Sequence, residues 1–289
     1  GAAMAVLADG AIAGSVGGGT LEWHLHRNAL EQLSGLPSGR NVQHLLGPDL
    51  GQCCGGRITA RIETFGPDDT GWIARLAETE ARDGFVRCAG QADAAGRFRR
   101  RVLDGEAEAA PGETVETFGE APTPVYLFGA GHVGRALVLA LAPLPFRVIW
   151  VDERGQAFPT HAPANCRMQV LADPATALAG AATGSLAMVM THSHARDLAL
   201  VAEALRSRNV ERVGLIGSET KRARFTGRLR AAGINEAALA RLDCPIGGRS
   251  LDSKHPAAIA AVIAVELLHW RQSLQRSAAV PNHAVAVHR

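Results

Sequence analysis

An apolar run at residues 125–128, Val-Tyr-Leu-Phe, passes directly into Gly129-Ala130-Gly131-His132-Val133-Gly134. The run reads as a buried strand, and the glycine-spaced segment opens a helical pattern over 132–142. A second apolar strand at 147–151 then ends in Asp152, near the ~20-residue offset at which an acid meets a ribose in dinucleotide-binding folds. The glycines allow a tight turn, close approach of backbone to a phosphate, and close packing of helix on strand. The helix N-terminus adds unpaired N–H groups suited to an anion. A fold that keeps this frame without its ligand is the alternative.

The pattern continues in alternation. Strands are expected at 166–171, 185–190 and 212–216, and helices at 174–180, 195–207, 219–232 and 256–275. Apolar strands that lack polar alternation are covered on both faces, so the sheet is parallel and layered by helices. The C-terminal part is therefore expected to be a Rossmann-like doubly wound parallel sheet over residues 120–276, with a flexible tail at 277–289.

Residues 1–119 read differently, as a smaller α+β domain. A hairpin is expected around Asp9-Gly10, then a helix at 20–33, strands at 42–46 and 57–63, a helix at 71–82, and strands at 85–91 and 97–103. The stretch 107–124, rich in Glu, Ala, Pro and Gly, reads as the linker. The chain opens Gly1-Ala2-Ala3-Met4 within the hairpin pattern, and an N-terminal piece is expected to precede it.

Composition excludes some classes. Thirty basic and 28 acidic residues leave a formal charge of +2, too balanced for a nucleic-acid footprint. No apolar run approaches the ~18 residues of a membrane span, and no signal-peptide pattern opens the chain. Cys53, Cys54, Cys88, Cys166 and Cys244 are few and odd in number, which fits free thiols in a reducing, cytoplasmic setting.

Four further segments carry candidate chemistry. Gly17-Gly18-Gly19, with Thr20-Leu21-Glu22 behind it, reads either as a second anion cradle or as a tight turn followed by a helix-starting acid. Cys53 and Cys54 lie in a glycine-flanked loop at 47–56 with Arg57 nearby. Neighbouring Cα atoms are ~3.8 Å apart, below the ~4.4–6.8 Å of ordinary disulfides. Free thiols there can ligate a soft metal, carry sulfur or attack an electrophile; the alternative is a pair of small loop residues. Thr191-His192-Ser193-His194-Ala195-Arg196-Asp197 sits at the carboxyl edge of the sheet. Its HxHxxD spacing resembles a metal-hydrolase ligand set but lacks a completing ligand, so ligand contact or helix capping is favoured. In Gly217-Ser218-Glu219-Thr220-Lys221-Arg222, Ser218 is an N-cap candidate, and Lys221 and Arg222 face either an anion or solvent.

Taken in order, these segments resemble the XdhC family of xanthine dehydrogenase accessory factors. The resemblance spans essentially the whole chain through GSVGGGTLE (14–22), LGPDLGQCCGG (46–56), VYLFGAGHVG (125–134), THSHARD (191–197), GLIGSETKRARF (214–225) and CPIGGRSLDSKHPAAIAAVIAVELL (244–268). It implies a cytoplasmic chaperone of purine catabolism, more a cofactor-maturation factor than an enzyme. Such a protein binds molybdenum cofactor (molybdopterin), supports its sulfuration by a cysteine desulfurase, and helps insert it into the molybdenum subunit of xanthine dehydrogenase. A homodimer is implied too. In this reading Gly17, Gly18, Gly19, Glu22, Gly129, Gly131, Gly134, Asp152, His192 and His194 are cofactor-binding candidates, with Cys53 and Cys54 at the metal or its sulfido group. A nucleotide at the Rossmann site is a further expectation. Two features depart from the family pattern: a strand and a GSxPRxxG-like segment before Ala3 are missing, and Pro256 is followed by Ala257-Ala258 rather than acids. The rival from another class is an NAD(P)-dependent oxidoreductase using GxGxxG and Asp152.

Overall fold

The computed structural model describes residues 2–35, 39–46, 56–94, 96–105, 107–247 and 253–279. The chain divides into two compact units, Gly1–Ala121 and Pro122–Arg289.

In the first unit, β1 (Ala3–Val6) and β2 (Ile12–Ser15) form an antiparallel hairpin. Its turn is not the two-residue Asp9-Gly10 type expected. Leu7 N–H donates to the Ala11 carbonyl and Gly10 N–H to the Leu7 carbonyl, both at 2.9 Å, leaving a three-residue loop with Gly10 at φ 86°. A left-handed glycine closing a three-residue loop is the next commonest hairpin geometry. Helix α1 (Gly19–Leu33) follows, then the antiparallel pair β3 (Gly39–Leu46) and β4 (Gly56–Glu63). Helix α2 (Thr70–Asp83) ends on Gly84 in the left-handed region, a conformation glycine adopts without a Cβ penalty.

A three-stranded sheet completes the unit, with β5 (Phe85–Ala92) between β6 (Phe98–Val102) and β7 (Thr114–Gly119). Strand β7 corrects the linker reading of 107–124. Thr114, Val115, Thr117 and Phe118 suit a strand, but Pro, Gly and Glu on either side concealed so short a run. The open edge of β5 needs partners for its backbone groups, and β7 supplies them from Phe85↔Gly119 to Gly90↔Thr114. The side chain of Arg100 in β6 is 6% exposed and paired with Glu63 at 2.5 Å and Glu116 at 2.6 Å.

The second unit is a six-stranded, all-parallel sheet: β8 (Thr123–Phe128), β9 (Phe146–Asp152), β10 (Cys166–Val170), β11 (Ser185–Val189), β12 (Val210–Leu215) and β13 (Leu242–Asp243). The spatial order is β10-β9-β8-β11-β12-β13, so the winding reverses between β8 and β11. Alternate residues of each strand serve opposite layers. On one face Phe128, Val189 and Leu215 meet Leu200, Leu205, Phe225 and Leu229, from α4 (His194–Arg206) and α5 (Glu219–Ala231). On the other, Leu127, Trp150 and Met188 meet Leu137, Leu141, Ile263 and Leu267, from α3 (His132–Leu141) and α7 (Pro256–Ala279). Both faces are covered by helices, which is why the strands show no polar alternation.

Three local expectations are corrected. Residues 174–180 form a 3-10 rather than an α-helix. The short α6 (Glu236–Leu239) and two-residue β13 were not anticipated, being too short to show a period. Helix α7 runs past residue 275 to Ala279, into the stretch read as tail. No helix among the described residues is long and apolar enough to cross a membrane.

Candidate functional site

Open α/β sheets bind ligands beyond the carboxyl ends of their strands, where the strand order reverses. Here that point lies between β8 and β11. The glycine loop after β8 is shaped by close backbone approach. Gly129 has φ 113°, its N–H donates to the Val151 carbonyl at 2.9 Å, and its carbonyl accepts from Trp150 Nε1 at 3.1 Å. A Cβ on Gly129 would overlap the Met190 carbonyl oxygen, and one on Gly134 would overlap the Gly129 carbonyl oxygen. Gly131 differs: it is the N-cap of α3 with no side-chain cap, and a Cβ there would meet nothing within 4 Å. Two glycines thus serve packing, while the third borders open space in front of a helix N-terminus.

Beside this loop is a cleft of ≈ 210 Å³. Phe128, Val151, Pro174 and Leu200 give it an apolar floor, and Asp152, Glu153, Asp173, Thr191, His192 and Arg196 bring polar groups to it. Glu153 is ion-paired with Arg196. Asp173 caps the 3-10 helix through the Ala175 N–H at 3.1 Å. Asp152 accepts from the Ala130 N–H at 2.8 Å and from the Arg154 N–H, Nε and Nη2 at 2.9 Å each. Burial alone would raise its pKa, but these hydrogen bonds outweigh it and hold the carboxyl at about 2.

The THSHARD segment splits. His192 lines the cleft, whereas His194 is the exposed first residue of α4 and does not. Asp197 is buried and accepts from the Thr191 N–H at 3.1 Å, the Thr191 hydroxyl at 2.7 Å and Lys221 Nζ at 2.6 Å. A carboxylate so committed is unsuited to a metal, and no group of three metal-ligating side chains occurs among the described residues. This sets aside the metal-hydrolase reading of HxHxxD. Lys221 is likewise neither an anion ligand nor solvated: its Nζ also donates to the Ile216 carbonyl at 2.9 Å. Ser218 does cap α5, accepting the Lys221 N–H at 3.2 Å.

In the first unit Gly17, Gly18 and Gly19 have φ 117°, 73° and 69°, a left-handed run that only glycine adopts readily. The cradle they form is filled from within. Glu22 Oε2 accepts from the Ser15 hydroxyl at 2.6 Å, the Val16 N–H at 3.0 Å and the Gly18 N–H at 3.2 Å, while Gly17 N–H donates to Ser15 Oγ at 3.2 Å. These bonds, the Ser15 hydroxyl foremost, lower the Glu22 pKa. Cys53 and Cys54 lie outside the described residues.

Gly129, Asp152 and His192 therefore converge on the cleft, with Gly131 at the N-cap of α3 and Gly134 buried in its first turn. Arg154 and Arg196 belong with them but were not singled out from the sequence. An arginine two residues beyond the acid that ends β9 was the available signal.

Sheet order and glycine loop define a protein with a Rossmann-type domain. Residues 125–267 match the XdhC Rossmann domain and residues 1–43 match the XdhC and CoxI family; the chain belongs to the XdhC family. A crystal structure from Bacillus halodurans, described as a xanthine dehydrogenase, has the same fold. It is 20% identical, with a TM-score of 0.75 over 96% of this chain and 88% of that one. A Rossmann-fold NAD(P)-binding family protein from Shigella flexneri is 16% identical and aligns over 39% of this chain and 63% of its own, with a TM-score of 0.31. No curated protein sequence matches significantly.

Proposed function

We propose that this chain is a xanthine dehydrogenase accessory protein that binds molybdenum cofactor, supports its sulfuration by a cysteine desulfurase and helps insert it into the dehydrogenase, acting as a cytoplasmic homodimer. The observation that carries this reading is the apolar-floored cleft that Gly129 of the glycine loop lines, with open space at Gly131 two residues on, in a chain with both XdhC-family segments.

The cofactor is a pterin dithiolene bearing a phosphate, and the cleft and the neighbouring α3 N-terminus offer a place for each of its two ends. The first-turn N–H groups of α3, which a helix leaves unpaired, would hold the phosphate. The loop at Gly17–Gly19 is a poorer candidate, because Glu22 and Ser15 already engage its N–H groups. Phe128, Val151, Pro174 and Leu200 would cover the ring system and keep water from it. When bound, the cofactor supplies the redox centre that the client enzyme uses. Cys53 and Cys54 are the thiols assigned to its metal or sulfido group, since thiolates suit soft, sulfur-rich centres.

The test is Cys53→Ala/Cys54→Ala, co-expressed with the dehydrogenase. Dehydrogenase activation falls by at least the ~10-fold that even outer-shell partners of a metal contribute. Full activation with full cofactor loading would show that these thiols have no such role.

A further inference from the structure

Asp152 ends β9 at the position where folds of this strand order present an acid to the two hydroxyls of a ribose. An ionised carboxylate offers about four acceptor sites. In this chain all four are taken by the protein itself. Oδ1 accepts from the Arg154 N–H and Nε, and Oδ2 from the Ala130 N–H and Arg154 Nη2. The Asp152 side chain is 5% exposed and that of Arg154 36% exposed, so the guanidinium is the more solvent-exposed partner of the pair. Geometry of this two-bond, planar kind is the strongest pairing an arginine makes with a carboxylate.

We infer that Arg154 is a specificity-determining residue beside the cleft: it saturates Asp152, which lines the cleft, so that the cleft takes a heterocyclic ligand without a ribose diol and refuses nicotinamide dinucleotides. The inference rests on the cleft being the cofactor site proposed above, and it says which class of ligand that site admits; a pterin phosphomonoester meets the condition. It also separates this chain from oxidoreductases that carry the same glycine spacing. The GxGxxG loop and the terminal acid are both present, but the acid has been turned from a ligand group into part of the wall. Its neighbours do not reopen the position, because Glu153 is held by Arg196 and Asp173 by its own helix cap.

The experiment is calorimetry of NAD⁺ with the full chain, as wild type, as Arg154→Met, as Asp152→Asn and as the double variant Arg154→Met/Asp152→Asn. Methionine removes both guanidinium bonds but leaves the backbone donors of Ala130 and residue 154. Arg154→Met binds NAD⁺ about tenfold or more tightly than wild type, the worth of one charge-assisted hydrogen bond regained, and the double variant loses the gain. Equal affinity in wild type and Arg154→Met, including none in either, overturns the inference. So does wild-type binding of NAD⁺ that Asp152→Asn abolishes. Arg154→Gln, which keeps a polar side chain and forms one such bond at most, is the second variant should methionine disturb folding. The probe contains no molybdenum cofactor. A chain that gains NAD⁺ binding as expected yet never carries pterin would retain the specificity role of Arg154 and sink the function proposed above.

Discussion

Lys221→Met destabilises the C-terminal unit by about 3–5 kcal/mol, because it leaves a buried carboxylate without its counter-charge. Asp197 is 1% exposed and Lys221 11% at the side chain, with Nζ and Oδ2 2.6 Å apart. The pair does more than neutralise itself. Asp197 fixes the turn at Thr191 through that residue's N–H and hydroxyl, while Lys221 holds the Ile216 carbonyl. One strut therefore fastens the chain ends of β11 and β12 beside the cleft. Thermal unfolding should show a fall in Tm of roughly 10 °C for a domain of this size. Replacing both partners, as Lys221→Met/Asp197→Leu, recovers part of the loss, since no lone charge is then buried. A single variant within about 1 kcal/mol of wild type would contradict the assignment of this pair as a buried strut.

Gly131→Val abolishes most cofactor binding while the protein stays folded. The three glycines of the loop differ in what surrounds them. Side chains at Gly129 or Gly134 would collide with backbone carbonyls, but Gly131 faces open space, and its φ of −78° suits any residue. Losing glycine at an N-cap costs about 0.5–1 kcal/mol, too little to unfold a domain. The branched side chain would instead stand in front of the α3 N-terminus. Bound pterin should fall by about tenfold or more, equivalent to losing one hydrogen bond to a charged group, with a melting temperature near that of wild type. Retention of full pterin by Gly131→Val would remove the α3 N-terminus from the site.

Much of the second unit was legible because its signals are local. Apolar strands, a glycine loop and amphipathic helices each declare themselves within a dozen residues, and parallel strands buried on both faces leave no ambiguity of period. Strand β7 escaped because its six residues are flanked by linker-like composition, and β13 because two residues have no period. Both exist to pair a neighbour's open edge, a tertiary cause. The site was legible in its positions but not in its bonding. GxGxxG and Asp152 mark the sheet edge beside which the cleft lies, yet nothing in the motif says that Arg154 folds back on the acid. Asp197 and Lys221 are 24 residues apart; their pairing follows from β11 and β12 being neighbours. Glu22 looked like a helix-starting acid and is one, but its carboxylate also closes the loop before it.

Molybdenum cofactor is the cargo proposed for this chain. The most direct measurement is to express the full chain in a host that makes the cofactor, purify it, and assay bound pterin by fluorescence after oxidation. Pterin in stoichiometric amount is the result expected. A preparation free of pterin and loaded with a nicotinamide nucleotide would contradict it, and would make the Rossmann unit an oxidoreductase domain instead.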